Sequence, residues 1–72
     1  IGERSFWMKN CIIPLDILFI VNGKINNIAK DCQPCVTQEC NHYSGIADSV
    51  LELPGGYCEK NNVVVGDELS LY

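Results

Sequence analysis

The chain is poor in positive charge, holds a single histidine and has no long uninterrupted apolar run, and each shortage excludes something. Five Lys and Arg residues face nine Asp and Glu, for a formal net charge of −4. Neutralising the phosphates of duplex nucleic acid needs a basic face, so nucleic acid is not an expected partner. The longest apolar stretch, residues 12–21, is interrupted by Pro14 and Asp16 and is far shorter than the roughly 20 residues of a membrane-spanning helix. No membrane partner is expected. No basic start followed by an apolar segment precedes that stretch, so no signal peptide is read. With His42 as the sole histidine, nucleophilic catalysis finds little support, because a Cys–His pair needs an orienting third group and a pocket. Pro54-Gly55-Gly56 lacks the spacing and the lysine of a phosphate-binding loop.

What is present describes one small folded domain spanning 1–72. A chain of this size buries only about 60% of the surface that its unfolded form exposes, and its core yields about 3–5 kcal/mol at best. Apolar residues make up 47% and charged residues 19%, with no charge block, which argues against wholesale disorder. There is no internal repeat, linker or low-complexity tract.

Five cysteines, Cys11, Cys32, Cys35, Cys40 and Cys58, form an odd set. At least one thiol is therefore free or pairs between chains. In an oxidising compartment a Cys35–Cys40 bridge would close a short loop and restrict the unfolded chain by about 2 kcal/mol. In a reducing one the same residues would be thiols or metal ligands. The cysteines assign no compartment.

Apolar and aromatic residues suggest a strand over 5–9. Pro14 forces a break, and residues 15–21 form an apolar, β-branched run suited to a buried strand. Asn22-Gly23 then predicts a hairpin, since both residues tolerate the positive φ of a tight turn. Ile25 and Ile28 are three apart, so either a bulge sits near Asn26-Asn27 or one isoleucine faces outward. Residues 30–45 read as a long surface loop. Residues 46–53 alternate like a strand, with Leu51 and Leu53 inward. Pro54-Gly55-Gly56 leads to one short helix over 57–61, ended by a left-handed Asn62, and Gly66-Asp67 turns into a last strand over 68–72. The expected fold is mainly β (α+β): a small antiparallel, barrel-like sheet with one short helix.

Phe6-Trp7-Met8-Lys9-Asn10, Ile13-Pro14-Leu15-Asp16-Ile17, Phe19-Ile20 and Asn22-Gly23-Lys24 occur in this order. Pro34-Cys35, Cys40, Val50-Leu51-Glu52-Leu53-Pro54 with Gly56, and Val65-Gly66-Asp67 follow. Together they resemble domain-of-unknown-function family 192, an uncharacterised bacterial and archaeal family. The resemblance implies a compact β-rich barrel-type fold with a helix packed on it, and no established activity. Members usually carry an N-terminal part ahead of the Phe-Trp-Met-Lys-Asn segment, so a shortened or partial version of the family domain is expected here. An uncovered strand edge would then favour a homo-oligomer, most simply a two-fold dimer. Cys11, Cys32 and Cys58 lie outside the family pattern.

Three sets of residues are candidate sites. Cys32-Gln33-Pro34-Cys35 has the C-x-x-C form of a redox motif, but no helical pattern follows to lower a thiol pKa. Cys32, Cys35, Cys40 and His42 could surround a zinc ion, although one residue between Cys40 and His42 is tight for two ligands. A structural disulfide between Cys35 and Cys40, with no metal and no cofactor, is the preferred reading. Asp16, inside an apolar strand, needs a partner such as Lys9 or Arg4, or else lines a polar pocket. Trp7, Lys9, Asn10 and Asp16 are the ligand-binding candidates, suited to a small anion or a peptide end, although a tryptophan in a small β domain is more often core. Function divides between a binding or interaction module, for a protein or small ligand, and a thiol-redox or zinc-binding activity of the Cys32–His42 loop. The first is preferred, and the reading leans against an enzyme.

Overall fold

A computed structural model describes residues 1–8, 11–35 and 40–69. Five antiparallel strands and one helix follow in the order β1 (Gly2–Trp7), β2 (Leu15–Val21), β3 (Lys24–Cys32), β4 (His42–Ala47), β5 (Ser49–Pro54) and α1 (Tyr57–Lys60). The mainly β architecture with one short helix is as expected. The strands form a two-stranded sheet, β1-β4, and a three-stranded sheet, β3-β2-β5. Among the described residues they do not close into a barrel.

β2 is the centre of the fold because both of its faces are apolar. Ile17 and Phe19 point into one core with Met8, Cys32 and Ala47. Leu18 and Ile20 point into a second core with Ile25 and Cys58. A strand covered on both sides carries a continuous apolar run rather than an alternating one. Pro14, which cannot donate to a ladder, stands immediately before it.

The Asn22-Gly23 hairpin forms as expected, with both residues at positive φ, 51° and 77°. Val21 pairs with Lys24 and Ile20 with Ile25, but Phe19 pairs with Asn27. Asn26 is therefore the extra residue, and this bulge lets Ile25 enter the second core while Ile28 packs against it. A second register shift lies between Leu15 and Ile17. It places Asp31 in the left-handed region, at φ 50°.

Four boundaries differ from the sequence reading. The first strand runs Gly2–Trp7 rather than over 5–9, because it pairs along its whole length with β4, and Met8 leaves the ladder to become buried. The expected loop over 30–45 is shorter, since pairing with β2 carries β3 to Cys32 and pairing with β1 starts β4 at His42. The expected strand over 46–53 is two strands. At its break, the Asp48 amide donates to the Ile20 carbonyl (2.8 Å) and the Asp48 carboxylate accepts the Asn22 amide (2.9 Å). These bonds tie the end of β4 to the hairpin and let the chain change sheets. Leu53 packs on the second core as expected, whereas Leu51 is 39% exposed. Of the last expected strand, Glu68 makes a single bridge to Lys24, and 70–72 lie outside the described residues.

The expected helix is present as one turn, entered through Gly56 at φ 88° and left through Asn62 at φ 57°.

Candidate functional site

Asp16 starts as an anomaly, a carboxylate with no solvent exposure in the apolar strand β2. The chain itself satisfies it. Oδ1 accepts the amides of Asp31 (2.7 Å) and Gly56 (3.1 Å), and Oδ2 accepts the amide of Cys58 (2.8 Å). Burial pushes its pKa up, but the amides of Cys58, Asp31 and Gly56 and the Cys58 thiol outweigh burial and hold it below 3.8. Gly56, the residue that opens α1, has no side chain to cap it. Asp16 supplies that cap from β2, taking the amide of the second helical residue as a local Ser or Asp would. Its partners are therefore backbone amides and the Cys58 thiol. The ion pair with Arg4 considered from sequence does not form, and Lys9 lies outside the described residues.

The same carboxylate suppresses a thiol. Burial, together with the hydrogen bond to Asp16 and the charge on Asp16, pushes Cys58 up from 9.0 to about 11. Cys32 is raised as well, first by burial and then by the charges of Asp16 and Asp31. Its thiol donates to the Ala29 carbonyl at 3.4 Å. Neither has the lowered pKa of a reactive cysteine.

The cysteine-rich segment is organised by a disulfide between Cys35 and Cys40, which are five residues apart. This is the pair expected to be structural. The C-x-x-C pair is not bridged: Cys32 is buried in the first core, with its thiol turned to Ala29. Cys35 and Cys40 are bonded to each other and so are not thiolate ligands, and His42 lies exposed on β4. Two of the four residues of the alternative zinc set, Cys32, Cys35, Cys40 and His42, are thus engaged in the disulfide. Among the described residues no cluster of three or more His, Cys, Asp or Glu could hold a metal.

Trp7 and His42 face each other across the β1–β4 ladder. Their ring centroids are 5.5 Å apart at an interplanar angle of 36°. Trp7 is 49% exposed, so it is a surface residue and not the core residue that its type most often is. The reason is local: it lies on the outer face of the two-stranded sheet. The neighbouring inward residue, Phe6, instead meets Phe19 in the first core at 6.1 Å. The Ser5 hydroxyl lies 3.3 Å from His42 Nδ1. This resembles a nucleophile–base pair, but Ser5 and His42 are both exposed and no carboxylate orients the ring through a described hydrogen bond.

Of the ligand-binding candidates, Trp7 stands on β1 and Asp16 lies buried in β2, bonded to the amides of Asp31, Gly56 and Cys58. Lys9 and Asn10 lie outside the described residues. Sequence reasoning missed Ser5 and His42 as neighbours of Trp7, because a register spanning 35 residues leaves no local pattern.

The model of DUF192, described as "Uncharacterized ACR", matches residues 2–71. The chain belongs to this family. Its fold is similar to a crystal structure of a protein of unknown function from Novosphingobium aromaticivorans DSM 12444. The TM-score is 0.82 at 31% identity, over 93% of this chain. The match covers 48% of that protein, so the chain spans about half its length. No curated protein matches. Family and structural relative are both of unknown function, so neither assigns an activity to the Trp7 face or to the cysteines.

Proposed function

We propose that this domain is a non-catalytic interaction module, and that its partner is a second copy of the chain joined along the outer edge of β1. The observation that carries this reading is the position of Trp7. It is half-exposed, its ring tilted against that of His42, at the end of a strand that pairs only with β4 among the described residues. An open strand edge offers unpaired amides and carbonyls to another strand. A large exposed aromatic beside it supplies the apolar anchor that interfaces favour. A two-fold contact, in which the same edge meets itself, is the simplest closed arrangement.

The non-catalytic part has its own support. The Ser5–His42 contact is solvent-exposed and has no third member among the described residues, and the buried thiols of Cys32 and Cys58 are held protonated.

Sedimentation velocity over micromolar concentrations tests the proposal. A species of about twice 8.0 kDa is expected. Trp7→Glu should return the monomer with an unchanged far-ultraviolet circular dichroism spectrum, since Trp7 is a surface residue. A wild-type monomer throughout that range overturns the reading.

A further inference from the structure

Two of the five cysteines share one backbone acceptor. The Met8 carbonyl accepts the amide of Cys11 (3.2 Å) and the amide of Cys35 (3.0 Å). Cys11 and Cys35 both pack against the first core. Cys35 is bonded to Cys40, whereas Cys11 is a free thiol and only partly buried. The other two free thiols are fully buried, and Cys32 is further engaged with the Ala29 carbonyl. A partly exposed thiol and a disulfide-bonded cysteine thus have their backbones fixed to the same acceptor.

We infer that Cys11 is an internal attacking thiol, and that the domain holds a thiol–disulfide exchange site made of Cys11, Cys35 and Cys40. The Cys11 thiolate attacks Sγ of Cys35. The Cys11–Cys35 bond forms as the Cys35–Cys40 bond breaks. The electron pair leaves on Cys40, which takes a proton from solvent in place of the one that Cys11 released. One disulfide and one thiol are present before and after, so the step needs no external oxidant or reductant. Attack at Cys35 rather than Cys40 follows from the shared Met8 carbonyl, which keeps Cys11 and Cys35 together after the exchange. The bridge that joins two positions within the cysteine-rich segment becomes one that ties β3's end to the segment following β1, and Cys40 becomes the reactive group. This device is independent of the proposed dimer, because none of its three residues lies on β1.

Disulfide mapping tests the inference. The protein is held at pH 8, alkylated with iodoacetamide without reduction, and its non-reduced peptides are sequenced by mass spectrometry. The expected result is a Cys35–Cys40 population with alkylated Cys11, together with a Cys11–Cys35 population with alkylated Cys40. Alkylated Cys40 should be lost in Cys11→Ser. A second variant, Cys40→Ser, removes the native bridge. Under oxidised glutathione it should form Cys11–Cys35 in preference to Cys32–Cys35. The inference is overturned if the wild type gives only Cys35–Cys40 with Cys11 fully alkylated, or if Cys40→Ser gives Cys32–Cys35 or stays as a glutathione adduct.

Discussion

The backbone amide of Cys58 donates to Oδ2 of Asp16 at 2.8 Å across 42 residues of chain. This bond, with those from Gly56 and Asp31, joins the central strand β2 to the helix and to the irregular end of β3 through one carboxylate. Asp16→Ala leaves three amide donors without their acceptor. A buried donor left unpaired costs about 1–3 kcal/mol, so the variant should lose at least that much, which is a large share of a small domain's stability. Asp16→Asn keeps the shape but turns an NH2 group toward amide donors, and it should be destabilised by a similar amount. Urea unfolding followed by circular dichroism measures both. A loss below about 0.5 kcal/mol for Asp16→Ala would show that these bonds hold nothing together.

The same bonds set an acid limit. Asp16 is held below 3.8 in the folded state, burial being outweighed by the amides. Asp48 is also held below 3.8, chiefly by the Asn22 amide. A carboxylate with a depressed folded pKa binds protons more readily when unfolded. Its stabilisation is complete above the unfolded value and disappears as pH falls through the folded one. Unfolding free energy should therefore be level from about pH 7 to 5 and drop below about pH 4. Asp16→Asn should flatten that drop more than Asp48→Asn, because Asp16 is buried and Asp48 exposed. An unchanged acid limb in Asp16→Asn would contradict the assignment.

The hairpin was legible because its signal is local: Asn22-Gly23 between two apolar runs permits little else, and β2 ends where that pair begins. The helix was legible for the same reason, from Gly56 and Asn62. Sequence left a bulge or an outward isoleucine open near Asn26, and the register decides for the bulge. What was not legible depends on distant partners. The alternation over 46–53 continues through Asp48, so nothing in the pattern marks where the chain changes sheets. Gly45, in a cysteine-rich stretch that resembles a loop, belongs to a strand only because β1 lies beside it. The surroundings of Asp16 were hidden in the same way, since its three amides come from Asp31, Gly56 and Cys58.

Gly45 shows how closely that β4 backbone meets the core. A Cβ added there would stand 2.7 Å from Cγ of Phe19, whose side chain is fully buried. Gly45→Ala must therefore shift the ring or the strand, at about 1–3 kcal/mol, as overpacking does elsewhere. Shortening the ring should relieve the clash. The Gly45→Ala/Phe19→Leu double variant should be less destabilised than the two single variants added together. Simple additivity in a double-mutant cycle would mean that the two residues do not press on one another.

Thiol reactivity should separate the cysteines by environment. Cys32 and Cys58 are buried and raised in pKa, Cys58 to about 11, whereas Cys11 is partly exposed. The thiolate is the nucleophile. At pH 8 a brief pulse of iodoacetamide should therefore modify Cys11 in the folded protein and spare both buried thiols, which become reactive only in denaturant. The raised value for Cys58 has a stability consequence of the opposite sign to that of Asp16. The unfolded thiol ionises near 9.0 and the folded one near 11, so stability from this group is intact below pH 9 and declines as pH rises toward 11. Cys58→Ala removes that dependence while leaving a small cavity beside Leu18 and Ile25 in the second core. It should thus lower stability at pH 7 and yet narrow its gap to the wild type between pH 9 and 11. Rapid labelling of Cys58 in the folded protein at pH 8, or a gap that stays constant above pH 9, would show that the Asp16–Cys58 contact does not hold this proton.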